Sequence, residues 1–454
     1  MGALAFWMHH ITPAEFGRFE VLRSALLVVA TPLGMGLSAA AGRWYVELEA
    51  GAFRRFLSTS IAAIAVVTAV LTAALFLVPT EAFREPDSRN LWLITLLCAG
   101  AIAFQAPLRS TLVLQSRAPA HSAVVMLQAL TTVGLGSWLL LNFGGGVGGL
   151  LLGYLAGFAL AAAAAVVFAR KNLSSSGDLA LLRDGMAYGL PLIPHLLAHQ
   201  VMTYADRLLL DHRVGAEETG FYSTAYLFAS GLTVIALSLN KATLPQVFGK
   251  MKLILETDET SVRALASSQM TRIFTTWLGL VSWLAFSASL LAPEVLTRFM
   301  PESYAPAAPM MPWVIWGTAM HALYLLPVNS LLYRKKTSLI SIISIGSAVL
   351  NIALNLVLIP RYHGLGAALA TLIAYSMLAG GVWVQAHRHL PAGSPVPWLR
   401  RAATIGGFAI ATYAVLAISE AWSPSLRLAA RCGAIAISAA PVVLAVRRTL
   451  RSDL

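Results

Sequence analysis

The chain is poor in charged residues and in cysteine. Charged residues make up 11% of its 454 residues, against about 25% in an ordinary soluble domain. Both cysteines, Cys98 and Cys432, fall inside apolar segments, which excludes a disulfide between exposed loops. The chain also has no glycine-rich phosphate-binding loop of the P-loop type, so ATP hydrolysis is not expected of it.

Apolar residues are abundant instead. They make up 58% of the chain, and the mean hydropathy is +0.73, so most of the protein must face hydrocarbon or other apolar helices. We predict an all-α polytopic membrane protein, because only helices of about 20 apolar residues can cross the bilayer in a chain of this composition. The thirteen predicted spans lie near 17–42, 55–79, 90–116, 120–142, 145–170, 185–209, 217–245, 267–292, 306–332, 338–360, 364–387, 400–419 and 427–446.

The first eight residues form a short apolar stretch. At about 1.5 Å per helical residue they cannot cross a bilayer of about 30 Å. They lack the basic leader and cleavage site of a signal peptide. We interpret them as the far half of a truncated first span, which brings the expected count to fourteen.

Similar motifs recur in order along the two halves of the chain. The segments 14–19 (AEFGRF) and 217–222 (EETGFY) each have glutamate shortly before a glycine and an aromatic residue shortly after it, and the two glycines, Gly17 and Gly220, are 203 residues apart. The pairs Arg117 with Arg334 and 146–148 with 364–366 repeat at similar offsets of 217 and 218. Repeated halves are typical of membrane transporters.

The basic residues are distributed unevenly among the joints between spans. Most of the 32 Lys and Arg fall in alternate joints and in the C-terminal tail, which predicts that those joints and the C-terminus are cytoplasmic. The net charge of +12 is therefore explained by topology and contact with anionic membrane lipids, and no nucleic-acid partner is expected.

Polar residues inside the predicted spans are candidates for function, because ionisable groups there usually face a bundle interior or a wet cavity. His195, His199, Thr203 and Asp206 follow one another at steps of four, four and three, so they share one helical face. Asp206 is next to Arg207, and we expect an ion pair at the outer rim of the span.

The joints leave little room for an enzyme active site. The longest non-membrane stretches, near 171–184, 246–264 and 388–399, are too short to fold into a domain. His195 and His199 alone form an HxxxH pair without a third ligand, which does not indicate a metal site. We therefore predict no catalytic residues, no metal and no cofactor.

Three groups of residues carry a resemblance to a known family. The chain resembles the polysaccharide flippases of the MOP exporter superfamily over nearly its whole length. The residues concerned are 13–17, Arg43, 188–194, Asp206, Arg207, 219–223, Asn351, Asn355, Ile359, Pro360 and 364–368.

The resemblance implies a V-shaped bundle of two six-span lobes, 1–172 and 185–388, with two further helices over 400–446. It also implies the movement of an undecaprenyl-pyrophosphate-linked oligosaccharide across the bacterial inner membrane for O-antigen, capsule or exopolysaccharide synthesis. A polysaccharide polymerase and glycosyltransferases are the candidate protein partners.

Such a substrate needs cations for its pyrophosphate and hydrogen-bonding groups for its sugars. The expected substrate-binding residues are the cations Arg23, Lys241 and Arg109 and the amides Asn240, Asn351 and Asn355. The expected ion-coupling residues are His195, His199 and Asp206.

Three other classes remain open. A drug or cation antiporter of the sister MATE family would need buried carboxylates, and the chain offers only Glu20, Asp206 and Glu218 near span ends. A membrane-embedded glycan polymerase or ligase would elongate or transfer glycan in extracts that contain this protein alone. A noncatalytic assembly scaffold would function after every cavity cation is neutralised.

The charge distribution makes a testable prediction about topology. Reporter fusions in the basic joints should be active on the cytoplasmic side, and those in the alternate joints on the outer side. The fusion points are Lys252, Arg334 and Ser394 for the cytoplasm, and Pro86, Ala216 and Ser303 for the outside. Reversed activity at any two of these points would contradict the two-lobe arrangement.

Overall fold

A computed structural model describes residues 2–82, 88–389 and 398–451, so the fusion points Pro86 and Ser394 lie outside the described residues. The structure is 92% helical, and its described residues contain no β-strand. The prediction of an all-α membrane protein is confirmed.

The chain divides into two compact units, residues 1–220 and 221–454. The helices of the first unit are α1 (Gly2–Met8), α2 (Pro13–Leu33), α3 (Leu37–Glu47), α4 (Ala50–Phe76), α5 (Ser88–Leu114), α6 (Ala118–Phe143), α7 (Gly146–Ala169), α8 (Leu179–Gly189) and α9 (Ile193–Arg213). The helix α10 (Ala216–Glu256) crosses the boundary between the two units at residues 220 and 221. The other helices of the second unit are α11 (Thr260–Phe299), α12 (Met311–Tyr333), α13 (Thr337–His389), α14 (Trp398–Glu420) and α15 (Pro424–Arg451).

Local sequence fixes where α2 begins and where it bends. Thr12 caps the helix in a capping box: the Glu15 amide donates to Thr12 Oγ1 at 3.2 Å, and the Thr12 amide donates to Glu15 Oε2 at 2.8 Å. The helix ends where Met35 and Gly36 take φ values of 48° and 68°. A bend of 42° then leads into α3, so α2 and α3 together form the predicted span 17–42.

Every predicted span falls on helical structure, although 17–42, 185–209 and 306–332 each cover more than one helical segment and fewer helices pass a strict test for crossing a membrane. Among the described residues, nine helices are long and apolar enough, or ten if α2 and α3 count as one bent span. The difference from thirteen has two causes. First, the helix α13 covers both 338–360 and 364–387, with a break at His363 (φ 51°, ψ −131°). Second, the segments at 185–209 and 306–332 do not pass the test.

In the first unit, α5 lies at the centre and packs on α2, α3, α4, α6 and α7. Its core contains Leu37, Phe56, Cys98 and Leu108, all fully buried. The helices α8 and α9 also belong to this unit, because α9 packs on α2 and α8 packs on α3 and α4. The lobe boundaries expected from the sequence, 1–172 and 185–388, differ from these compact units and remain a prediction.

In the second unit, α11 packs on α12, α14 and α15. A buried arginine connects three of these helices. Arg431 on α15 donates from Nη1 to Glu294 Oε1 on α11 at 2.9 Å and to the Leu290 carbonyl at 3.2 Å. Its Nε donates to Ser419 Oγ on α14 at 3.2 Å. The ion pair therefore attaches α15 to α11, and the hydrogen bond to Ser419 attaches α14 to α15.

Neutralising Glu294 should destabilise the second unit, because Arg431 would remain buried without its carboxylate. We expect Glu294→Gln to lower the free energy of unfolding by about 3 kcal/mol, measured by thermal denaturation of the purified protein in detergent. The double variant Glu294→Leu, Arg431→Leu should lose less free energy of unfolding, because it leaves no buried charge without a partner. Glu47→Gln is the matched control, because Glu47 pairs with Arg43 at an exposed site. Equal losses for Glu294→Gln and Glu47→Gln would contradict the role of this ion pair.

Candidate functional site

Four charged side chains meet where α2 packs on α9 in the first unit. Glu20 and Arg23 lie three residues apart on α2, and the Arg23 guanidinium binds both Glu20 oxygens, with Nε to Oε1 at 2.8 Å and Nη2 to Oε2 at 2.6 Å. Arg207 Nε on α9 lies 3.7 Å from Glu20 Oε2, and Arg207 Nη1 lies 3.3 Å from Asp206 Oδ1. We call Glu20, Arg23, Asp206 and Arg207 the charged quartet.

Most of the charged quartet is removed from solvent. The exposed fractions are 2% for Glu20, 0% for Asp206 and 3% for Arg207, and only the Arg23 side chain, at 24%, is partly accessible. The expectation that Asp206 and Arg207 form a pair at an exposed rim is wrong. They are buried because α9 packs against α2. The opposite charges within the quartet offset the free-energy cost of desolvating each group.

The remaining hydrogen-bond donors of the two arginines differ. Arg207 Nη1 also donates to the Thr203 carbonyl at 2.8 Å, one turn earlier on α9. Arg23 uses Nε and Nη2 on Glu20, and among the described residues no hydrogen bond is recorded for its Nη1. A guanidinium has five N–H donors, so Arg23 keeps donors that are not bound to Glu20.

The predicted polar stripe on α9 runs from an exposed to a buried position. His199 is exposed, Thr203 is half-buried and Asp206 is fully buried. The side chain of His195 lies outside what the structure describes. Thr203 Oγ1 donates to the His199 carbonyl at 2.8 Å, and the Thr203 carbonyl accepts from Arg207, so a chain of hydrogen bonds follows this part of α9.

Lys241 and Arg109, the other predicted cations, do not belong to the quartet. Lys241 is exposed on α10, and Arg109 is half-buried on α5, where it lines a cleft of the first unit.

The predicted amides of the second unit form two pairs. Asn329 Nδ2, on α12, donates to Asn240 Oδ1 at 2.9 Å. Asn355 Nδ2 donates to Asn351 Oδ1 at 3.1 Å on α13, and both residues are buried. Asn351 Nδ2 and Asn355 Oδ1 have no partner within the described part of the chain, so this pair keeps one free donor and one free acceptor. Asn351 and Asn355 are therefore shielded from solvent in this conformation.

Sequence reasoning missed three features of these sites. The Glu20–Arg23 pair was readable from its spacing, because residues at i and i+3 are neighbours on a helix. Asn329 and Gln105, which is buried on α5, showed no signal in the sequence beyond being amides inside apolar segments.

The backbone also approaches itself closely at two glycine contacts in the first unit, one between α2 and the start of α10 and one beside α8. A Cβ at Gly17 would overlap the Ala216 carbonyl, and one at Gly220 would overlap the Pro13 carbonyl. Gly36, just before α3, and Gly189 on α8 exclude side chains from each other in the same way. Gly17 and Gly220 are the two glycines that the repeated motifs pair in the sequence, and the first unit brings them into contact.

Solved structures with the same fold are membrane transporters. The chain is similar to the lipid II flippase MurJ in an inward closed conformation, with a TM-score of 0.73 and 15% identity over 99% of this chain and 96% of that chain. It is also similar to an inward-facing multidrug resistance MATE family transporter of the MOP superfamily (TM-score 0.65, 14% identity, 86% and 93% covered). A Vibrio cholerae MATE transporter matches at a TM-score of 0.53, with 14% identity over 87% of this chain and 98% of that chain. Identities this low establish the fold alone, which is that of the MOP superfamily transporters.

The family is established by the sequence. Residues 7–251 match the family described as polysaccharide biosynthesis protein, more than half of the chain. The chain therefore belongs to the polysaccharide biosynthesis protein family, a flippase family of the MOP superfamily, and the resemblance noted above is confirmed. No curated protein matches the chain significantly.

The glycine contact makes a testable prediction about stability. Gly17→Ala should lower the free energy of unfolding by about 1–3 kcal/mol, because the new methyl group must push α2 away from the Ala216 carbonyl. Gly42→Ala is the control: nothing lies within 4 Å of a Cβ there, and alanine favours the helix. Thermal denaturation in detergent measures both variants. If Gly17→Ala were as stable as Gly42→Ala, the close approach would be contradicted.

Proposed function

We propose that this protein moves an undecaprenyl-pyrophosphate-linked oligosaccharide from the cytoplasmic to the outer leaflet of the bacterial inner membrane. Membership of the polysaccharide biosynthesis family supports this substrate class. The fold shared with a lipid II flippase is compatible with a lipid-linked cargo. No covalent chemistry is required of the chain, and its partners are the glycosyltransferases and the polymerase that make and use the glycan.

The charged quartet is the observation that carries the proposal. A pyrophosphate that passes through hydrocarbon needs compensating cations, since an isolated charge there costs several kcal/mol even after relaxation. Arg23 is partly accessible and keeps donors beyond those bound to Glu20. We propose that the pyrophosphate binds Arg23 during transport, in competition with Glu20. Lys241, exposed on α10, is the second proposed anion contact.

The same quartet argues against a cation antiporter as the alternative. A cationic drug needs carboxylates that are not already neutralised. Glu20 binds Arg23, Asp206 binds Arg207 and Glu294 binds Arg431, each within the distance of an ion pair. Among the described residues, the two buried carboxylates, Glu20 and Asp206, are thus compensated by arginines, which favours an anionic over a cationic substrate.

The proposal extends to coupling, sugar binding and orientation. We propose that His195, His199 or Asp206 links transport to an ion gradient, because a histidine can change its charge near neutral pH. The amides of Asn240, Asn351 and Asn355 are the proposed sugar contacts in conformations other than this one. The C-terminus is proposed to be cytoplasmic, from the distribution of basic residues.

Mutation of the two proposed anion contacts tests the proposal in a strain whose glycan export depends on this gene. Arg23→Ala should lower export at least about tenfold, since a charge-assisted hydrogen bond to phosphate contributes about 1.5–3 kcal/mol. Arg23→Lys should restore export only in part, because lysine lacks the planar fork of a guanidinium. Lys241→Ala should weaken export less.

Two controls separate binding from folding. The double variant Glu20→Gln, Arg23→Met removes both charges of one pair, so we expect it to accumulate in the membrane but not to export glycan. Arg43→Ala removes an exposed arginine and should export normally. Full export by Arg23→Ala combined with Lys241→Ala would refute this anion site. New glycan synthesis in extracts that contain only this protein would favour a polymerase or ligase instead.

A further inference from the structure

A cleft of about 480 Å³ opens in the first unit between α3, α5 and α6. It is separate from the charged quartet. Its polar lining comes from Ser38 on α3, from Gln105, Arg109 and Ser110 on α5, and from His121 on α6. The Ser38 and Ser110 hydroxyls are hydrogen-bonded to each other at 2.8 Å.

Gln105 is the unusual residue of this cleft. Its exposed fraction is 1%, and neither its Oε1 nor its Nε2 has a hydrogen-bond partner among the described residues. Leaving a buried polar group unpaired costs about 1–3 kcal/mol, so native proteins seldom do so without a reason. An amide of this kind in the lining of an open cleft can donate from Nε2 to an acceptor group of a bound ligand.

Arg109 lies one helical turn beyond Gln105 and lines the same cleft. In the part of the chain that the structure describes, Arg109 has no salt bridge with a carboxylate, unlike Arg23, Arg207 and Arg431. An uncompensated guanidinium beside an unpaired amide and two hydroxyl groups matches the chemistry of a phosphate group, which accepts several hydrogen bonds.

The cleft also has an apolar part. Ile102, Val113 and Leu114 line it, and Val113 and Leu114 are 56% and 39% exposed. Exposed apolar side chains next to a polar site favour a ligand that has an apolar chain as well as a polar group. The cleft therefore combines polar groups suited to a phosphate with apolar side chains suited to a lipid chain.

We propose that this cleft binds the phosphate group of a lipid, with Arg109 as the cationic contact and Gln105 as the hydrogen-bonding contact. Two lipids share this chemistry: an anionic phospholipid of the membrane and a prenyl phosphate related to the proposed cargo. The prenyl phosphate alternative rests on the proposed function, whereas the phospholipid alternative does not.

The test measures lipid binding to the purified full-length protein by native mass spectrometry in detergent. Two pairs of lipids differ only by the phosphate: undecaprenyl phosphate with undecaprenol, and dioleoyl phosphatidate with dioleoylglycerol. We expect at least one phosphate lipid to bind and its phosphate-free counterpart not to bind at the same concentration. The preferred pair identifies the source of the phosphate. Inorganic phosphate serves as the lipid-free probe.

Variants assign the binding to the cleft. Arg109→Met should weaken binding of the phosphate lipid about 10- to 100-fold, the range expected for a charge-assisted contact. The matched control is Arg54→Met, which removes an exposed arginine on α4 of the same unit and should leave binding unchanged. Gln105→Leu should weaken binding while leaving the thermal midpoint the same or higher, because it removes an unpaired buried amide. A purely structural glutamine would give the opposite result.

Several outcomes would overturn the proposal. These are equal binding of each phosphate lipid and its phosphate-free counterpart, binding that survives Arg109→Met within threefold, or binding of inorganic phosphate without either phosphate lipid. Glycan export measured in the same variants is a separate result, so a failure of this site is distinguishable from a failure of the proposed function.

Discussion

Hydrocarbon contains no water to solvate a charge, so an ionic group buried among membrane helices depends on a partner supplied by the protein. In the part of the chain that the structure describes, four charged side chains are exposed by 4% or less: Glu20, Asp206, Arg207 and Arg431. Each lies beside a group of opposite charge. Packing follows from this constraint: α2 and α9 meet at one ionic group, and α11, α14 and α15 meet at another.

Ion pairs of this kind suit a transporter better than apolar packing would. Replacing a buried ion pair with apolar residues is often neutral or stabilising, so stability alone is a weak reason for keeping one. We propose that the Glu20–Arg23 pair is retained because its partners can be exchanged. A pyrophosphate that binds Arg23 takes the place of Glu20, and Arg207 then remains as the cation beside that carboxylate. The quartet would stay compensated while the substrate is bound.

The cleft at Arg109 presents the opposite arrangement. Its arginine has no carboxylate partner, and its buried glutamine has no hydrogen-bond partner, within the residues described. The quartet supplies its own counter-charges, whereas the cleft lacks them. This difference is the physical basis for assigning the quartet to a substrate that binds transiently and the cleft to a lipid phosphate that completes the site.

The amino-acid sequence determined the helical class, the positions of the helices and the family, because apolar run length, turn residues and local motifs act over a few residues. The break between the spans at 338–360 and 364–387 was predicted, and it occurs at His363. The Glu20–Arg23 pair is likewise a local feature, readable from spacing on one helix.

Only the tertiary structure decided which of the polar residues are buried and what they contact. Asp206 and Arg207 were expected at a rim, yet they are buried, since burial depends on the neighbouring α2 rather than on adjacent residues. The repeated motifs paired Gly17 with Gly220 as equivalent positions, but nothing local indicated that their backbones touch. Contacts between residues far apart in the chain depend on how helices pack, and helix packing depends on surfaces that no single segment specifies.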